Sequence, residues 1–297
     1  MKTKLTTEGA VIYFPDKYLT LRLTKEETLK ELRLKQLPDD YPGPEVVHLE
    51  VSNKCNLRCS YCYVKKENKE LTTYDWMRII YKLAKEEVFQ VTFGGGEPTL
   101  RDDIIELASY TKRVGLNLAM TSNGILVPYF GKELRNFDQI NVSFHRSNIN
   151  PFGILTKALS YLKKLKIKRG ISFCLRKDYY NDLDKVVDIA KKYEAELLLL
   201  TYKPIINDYE NYIPPITVYD VAETLKDKVE VAVDGLTCSS CMGNKRFCDV
   251  DSEGNVYPCS FIRIPQGNLL TEKLVDIWNK RIKNIKCPFK EGNSNLR

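Results

Sequence analysis

The chain has 297 residues, of which 43% are apolar and 29% charged, the composition of a soluble globular protein with one large α/β domain or one domain plus a smaller appendage. Its net charge is +7, but basic and acidic residues interleave, and the densest basic stretch, Lys163 to Arg169, lacks the interleaved aromatics of a nucleic-acid surface. No apolar run is long enough for a signal peptide or a membrane span, so a cytoplasmic protein is expected, with neither nucleic acid nor membrane as partner.

Residues 1–44 read as an N-terminal extension: an extended pair around Ala10 to Thr24, a charged helix from Lys25 to Leu37, and a Pro-rich stretch. From residue 45 the pattern turns regular. Strand-like runs at 47–52, 88–94, 116–124, 139–145, 167–175 and 195–202 alternate with helical stretches near 73–87, 102–114, 131–136, 152–166 and 182–193. Such alternation implies right-handed βαβ units and a parallel sheet. Six strands suit a partial (β/α)6 barrel over residues 45–215 better than a closed eight-stranded one, although periodicity alone leaves a doubly wound open sheet possible. One further helix and a small cysteine-rich C-terminal domain are expected over 216–297.

Three of these strands alternate apolar and polar residues. Val47, Leu49 and Val51 oppose His48, Glu50 and Ser52; Ile140, Val142 and Phe144 oppose Asn141, Ser143 and His145; Ile171, Phe173 and Leu175 oppose Ser172, Cys174 and Arg176. Helices should cover the apolar faces, which leaves the polar ones lining the interior. A polar interior is costly unless water or a polar ligand satisfies it, so it reads as a substrate and cofactor cavity.

Nine cysteines are many for a chain without a secretion signal, and in a reducing compartment clustered thiols point to metal rather than disulfides. Cys55, Cys59 and Cys62 form C-x3-C-x2-C directly after the first strand of the regular region. Three thiolates so close on one loop can hold three corners of a cubane cluster and leave the fourth iron open to a reactant. The next strand ends in Phe93-Gly-Gly-Gly-Glu-Pro98. Glycines there would let backbone approach a ligand, with exposed amides and Glu97 available to an ammonium group. A structural zinc site is the competing reading of the three cysteines alone, but it gives no reason for the glycine loop.

Triad and glycine loop together resemble the radical S-adenosylmethionine (SAM) superfamily over roughly residues 45–205. The resemblance implies a [4Fe-4S] cluster whose open iron binds SAM, and reductive cleavage to a 5′-deoxyadenosyl radical that abstracts a substrate hydrogen. It also implies SAM contacts from Tyr61, Gly94, Gly95, Gly96, Glu97, Thr121, Ser122, Asn123, Ser143 and Arg176, and a reduced ferredoxin or flavodoxin as electron donor.

The second cysteine group is Cys238, Cys241, Cys248, Cys259 and Cys287, with Gly254 five residues before Cys259. This resembles the tails of SPASM and shorter twitch enzymes, which bind auxiliary four-iron clusters. With only Cys287 after Cys259, one auxiliary [4Fe-4S] cluster is expected, held by Cys241, Cys248, Cys259 and Cys287, with Cys238 as an alternative to one of them; a four-cysteine zinc site competes. Catalytic candidates are Cys174, which stands alone, and the two histidines, His48 and His145, each of which has a plain structural alternative. The family's substrates imply a peptide or protein side chain first, and a small molecule of cofactor, haem or sugar biosynthesis second.

Overall fold

The computed structural model describes residues 1–15, 19–64, 69–205, 209–237 and 241–289. The chain starts with three antiparallel strands, β1 (Lys2–Thr6), β2 (Gly9–Phe14) and β3 (Leu19–Arg22), one more than the expected pair. Tyr13 stacks on Phe89 at 5.0 Å between ring centroids, and Arg22 grips Glu45 with two bonds of 2.6 and 3.1 Å, so this small sheet is fastened to the main body. Helix α1 (Lys25–Glu31) begins in a Thr24–Glu27 capping box and stops short of the expected Leu37, because Arg33 takes a left-handed conformation at φ 53°.

The six expected strands are present as β4 (Val46–Ser52), β5 (Gln90–Gly95), β6 (Asn117–Ser122), β7 (Gln139–Ser143), β8 (Lys168–Leu175) and β9 (Glu196–Thr201). Each pairs in parallel with the next. Helices α2 (Thr73–Lys85), α3 (Ile104–Arg113), α4 (Pro151–Lys164) and α5 (Leu183–Tyr193) fill the connections, while 131–136 forms a 3-10 turn. Helix α2 shows the logic. Thr72 caps it, and Trp76, Ile79, Ile80 and Leu83, spaced along one face, are all 0% exposed; each burial stabilises by about 1.5–3 kcal/mol. They join the strand residues Val47, Leu49, Val51, Val91 and Phe93 in one core. The apolar strand faces thus lie under the helices, and the polar faces line the concave side as a partial barrel.

Two further parallel strands flank the six. After α6 (Pro215–Leu225), β10 (Val231–Val233) pairs with β9, and β11 (Phe247–Val250) pairs with β4 at the other edge. Strands β12 (Asn255–Tyr257) and β13 (Gly267–Asn268) continue from β11 antiparallel, with Gly254 in the left-handed region at φ 86° in the turn between β11 and β12. Helix α7 (Leu274–Lys280) packs back on the body, where Trp278 donates to the Tyr41 carbonyl at 2.8 Å. The main sheet therefore draws strands from both sides of residue 215, and the cysteine-rich region is hydrogen-bonded to the strand that leads into the first cysteine loop.

Candidate active site

Strand β4 delivers the chain into the loop of Cys55, Cys59 and Cys62. Its root is stitched by Glu70, which accepts from the Ser52 hydroxyl at 2.7 Å and the Asn53 amide at 2.9 Å. The Leu57 amide faces Cys55 Sγ at 3.4 Å, and the Cys62 amide donates to the Cys59 carbonyl at 3.2 Å. Cys62 is exposed and the other two are half-buried. Accessible thiols with a backbone N–H directed at sulfur suit an iron–sulfur cluster.

Gly94, Gly95 and Gly96 lie against this root. A Cβ on Gly94 would meet His48 Nε2 at 2.1 Å, one on Gly95 the Ser52 carbonyl at 2.3 Å, and one on Gly96 the Lys54 carbonyl at 2.1 Å. The amides of Gly96 and Glu97 already donate to the Ser52 and Lys54 carbonyls at 2.7 and 2.8 Å. The glycines thus let β5 press against the cysteine loop, and the N–H groups of Gly96 and Glu97 are spent on that contact. Glu97 is likewise committed. Only 1% exposed, its carboxylate accepts from the Thr99 amide (3.1 Å), the Thr99 hydroxyl (2.5 Å), the Ser122 hydroxyl (2.8 Å) and the Asn123 amide (2.7 Å). Burial pushes its carboxyl up, and these bonds pull against that. Asn123 then donates to Asn56 Oδ1 at 2.7 Å, inside the cysteine loop.

Across the lumen, Arg176 is 3% exposed. It pairs with Asp178 at 2.8 and 3.0 Å and lies 4.7, 5.3 and 4.5 Å from the ring centroids of Tyr61, Tyr179 and Tyr202. The Tyr61 hydroxyl is 2.8 Å from His145 Nδ1, which also faces Cys59 Sγ at 3.7 Å. Burial lowers His145 to about 4, so the ring is neutral at ordinary pH. Thr121 and Ser143 are half-buried, with Ser143 in register with Ser172. Cys174 is pushed up to about 12 by burial and is a thiol rather than a nucleophilic thiolate.

The opposite wall joins His48 and Glu50, which the sequence placed on the polar face, to Asp249 and Arg263, which it passed over. His48 Nδ1 is 2.5 Å from Asp249 Oδ1, and Arg263 bridges Asp249, at 2.9 Å, to Glu50. Burial alone would lower His48 and raise Asp249; each instead shifts toward its charged form because of the other. Glu50 rises to about 7, through burial and the nearby Asp249. His48, Glu50 and Asp249 place ligand-type atoms within 4.8 Å of one another, the one such group among the described residues, and Arg263 already supplies a cation there. The alternation of β4 had put His48 and Glu50 on the lumen side; nothing local to Arg263 announced its partners.

Cys241 and Cys259 flank Gly243, whose added Cβ would meet Cys259 Cβ at 3.3 Å and Cys241 Sγ at 3.7 Å. Burial raises the Cys259 thiol, and the Phe261 and Ile262 amides pull it back down, as sulfur-directed N–H groups do. Cys287 is half-buried, and two residues on, the Phe289 ring lies 6.3 Å from that of Phe261. Cys248 does not join them. It is 1% exposed in the main core with Val250, on the face of β11 opposite Asp249, and burial drives its thiol far up. Its expected role as a cluster ligand is corrected for that reason. Cys238 lies outside the described residues.

Two family models match the chain: the radical SAM superfamily over residues 49–196 and an iron-sulfur cluster-binding domain, SPASM, over residues 241–296. A PqqA peptide cyclase of Bradyrhizobium diazoefficiens is 39% identical over 253 residues, 73% of this chain and 66% of the relative. The mycofactocin maturase MftC of Mycolicibacterium smegmatis is 25% identical over 270 residues, 77% of this chain and 68% of the relative. The chain thus spans about two thirds of the length of these two relatives. Among solved structures, Streptococcus suis SuiB bound to its precursor peptide SuiA superposes with a TM-score of 0.74 at 14% identity, covering 99% of this chain and 89% of SuiB, a likeness of fold.

Proposed function

The chain belongs to the radical SAM superfamily and carries a SPASM iron-sulfur cluster-binding domain, and from that premise we propose that it is a peptide maturase. A [4Fe-4S] cluster and SAM, when bound, would supply the radical chemistry, and the polar lumen would hold the peptide side chain that gives up a hydrogen. Cys55, Cys59 and Cys62 would hold the first cluster. Thr121, Ser143, Arg176 and the Tyr61 ring offer SAM its polar and aromatic contacts, while Glu97, Ser122 and Asn123 hold the loops in place. Cys241, Cys259 and Cys287 would hold an auxiliary cluster, with Cys238 a candidate for a fourth thiolate. Reduced ferredoxin or flavodoxin in the cytoplasm is the proposed electron source. No helix among the described residues is long and apolar enough to cross a membrane.

The observation that carries the reading is that two cysteine loops attach to one polar-lined partial barrel, the first continuing from β4 and the second flanking β11, the strand paired with β4. A peptide substrate is supported by the names of the relatives, a PqqA peptide cyclase and a mycofactocin maturase. The test is anaerobic reconstitution with SAM and dithionite. Release of 5′-deoxyadenosine, its abolition in Cys59→Ala, and SAM cleavage without peptide product in Cys259→Ala are the expected results. A colourless zinc protein that ignores SAM would end the proposal.

A further inference from the structure

The loop that follows β12 is fixed to the barrel by side chains, independently of its cysteine. Ser260, next to Cys259, donates to Asp249 at 2.8 Å. Arg263 donates to Asp249 at 2.9 Å and to Glu50, 213 residues away in sequence. Its guanidinium lies 5.0 and 5.9 Å from the ring centroids of Tyr257 and Tyr63. Between these anchors Phe261 reaches across the mouth: its ring is 4.9 Å from that of Tyr63, the neighbour of Cys62, and 4.6 Å from the Lys203 ammonium at the end of β9. One loop therefore touches the first cysteine loop, the strand before it and the far side of the barrel.

The charges are arranged with equal economy. Asp249 and Glu50 are 0% and 5% exposed in their side chains, and one guanidinium serves both. Asp249 has His48 and Ser260 as further donors, whereas Arg263 is the only donor to the Glu50 carboxylate among the described residues. Asp249 also lies close enough to Cys259 for its charge to raise that thiol.

We propose that Arg263 is a positioning residue: through Glu50 and Asp249 it seats the Cys259 loop against the first cysteine loop, and its charge, balanced by Glu50, sets the reduction potential of the cluster bound at Cys259. The second half rests on the reading of Cys259 as an auxiliary-cluster ligand; the first half does not. With Glu50 already neutral, as in Glu50→Gln, removing the guanidinium leaves Asp249 without this cation near Cys259 and must make the cluster harder to reduce. Removing the Glu50 charge must make it easier.

The experiment compares Arg263→Met, Arg263→Lys, Glu50→Gln and the double variant Glu50→Gln/Arg263→Met with the wild type. In cluster-free protein, hydrogen exchange of the 257–263 amides should rise at least tenfold in Arg263→Met and less in Arg263→Lys; unchanged exchange overturns the seating role. In reconstituted protein at pH 8, where Glu50 of the wild type is ionised, EPR-monitored titration should move the auxiliary potential up in Glu50→Gln and back down in the double variant Glu50→Gln/Arg263→Met, where no carboxyl can take up a proton in place of the lost cation. Shifts of one sign at both steps, or none, overturn the charge role, since a merely structural residue gives no opposed pair. A wild type without auxiliary iron would instead sink the cluster assignment, and the exchange result would still decide the seating.

Discussion

Glu97→Gln isolates what the buried carboxylate does, because the amide keeps its shape and removes only charge and one acceptor. In the wild type, one oxygen takes the Asn123 amide at 2.7 Å and the other takes the Thr99 amide and the Thr99 and Ser122 hydroxyls. A glutamine must turn its NH2 toward one of those sets. Facing Asn123, it strands a backbone N–H and loses a charge-assisted bond, worth about 1.5–3 kcal/mol, offset in part by no longer burying a charge. We expect a net loss of about 2–3 kcal/mol. With an unfolding entropy of about 2.1 cal/mol/K per residue, a chain of 297 residues should melt about 3–5 °C lower as cluster-free protein. SAM affinity of the reconstituted variant should fall too, because Asn123 carries the effect to Asn56 between Cys55 and Cys59. Burial raises this carboxyl, so the alternative is a protonated acid, which an amide would imitate at no cost. A melting point within 1 °C of the wild type, in a difference measurement with about that error, would refute an ionised tie.

Three other outcomes follow from the same geometry. Cys248→Ala should keep all the iron of the reconstituted wild type, whereas Cys241→Ala or Cys259→Ala should each lose about four irons per chain; iron and sulfide assays decide. Glu50→Gln should change the pH dependence of stability. A carboxyl raised to about 7 in the fold contributes stability below its unfolded value near 4.5 and loses it as pH rises through 7, by up to about 3 kcal/mol. Urea melts at pH 5 and pH 8 should therefore show the variant gaining on the wild type at the higher pH, and equal gaps at both would count against the assignment. Gly94→Ala should cost about 1–3 kcal/mol by overpacking, since its methyl would sit 2.1 Å from His48 Nε2; adding His48→Ala should relieve that steric part.

Most of the frame was legible because it obeys local rules. Alternation on β4, β7 and β8 assigned a core side and a lumen side to each residue, and Val47, Leu49, Val51, Ile140, Val142, Ile171 and Phe173 are all fully buried as that pattern requires. Short strands were harder. Val231–Val233 and Phe247–Val250 offer three and four residues, too few for a period to show, and they exist because the edges of a parallel sheet were there to pair with. The Cys248 error had a readable remedy in the same rule. Cys248 and Val250 share a face opposite Asp249, so a strand here carries its cysteine into the core and its carboxylate into the lumen.

The glycine loop marks the limit of local reading. Its composition suggested a cradle for a ligand, and any glycine run would suggest the same. Which atoms approach it depends on His48 and Ser52 of β4 and on Lys54 in the loop after it, all over 40 residues earlier, and each occupies the space a methyl would need. The same holds for the opposite wall. Glu50 reads from sequence as a polar residue aimed at a cavity, and only the pairing of β11 with β4 brings Asp249 and the Arg263 loop to meet it. A buried carboxylate is tolerable there because the C-terminal region delivers the cation. Each wall of the lumen is therefore completed by residues distant in sequence: the glycine loop closes on β4, and the ion network of β4 closes on the Cys259 loop. It follows that the barrel without residues 241–289 would leave Glu50 and His48 without these partners. Such a truncation should therefore lose stability as well as its second cysteine group.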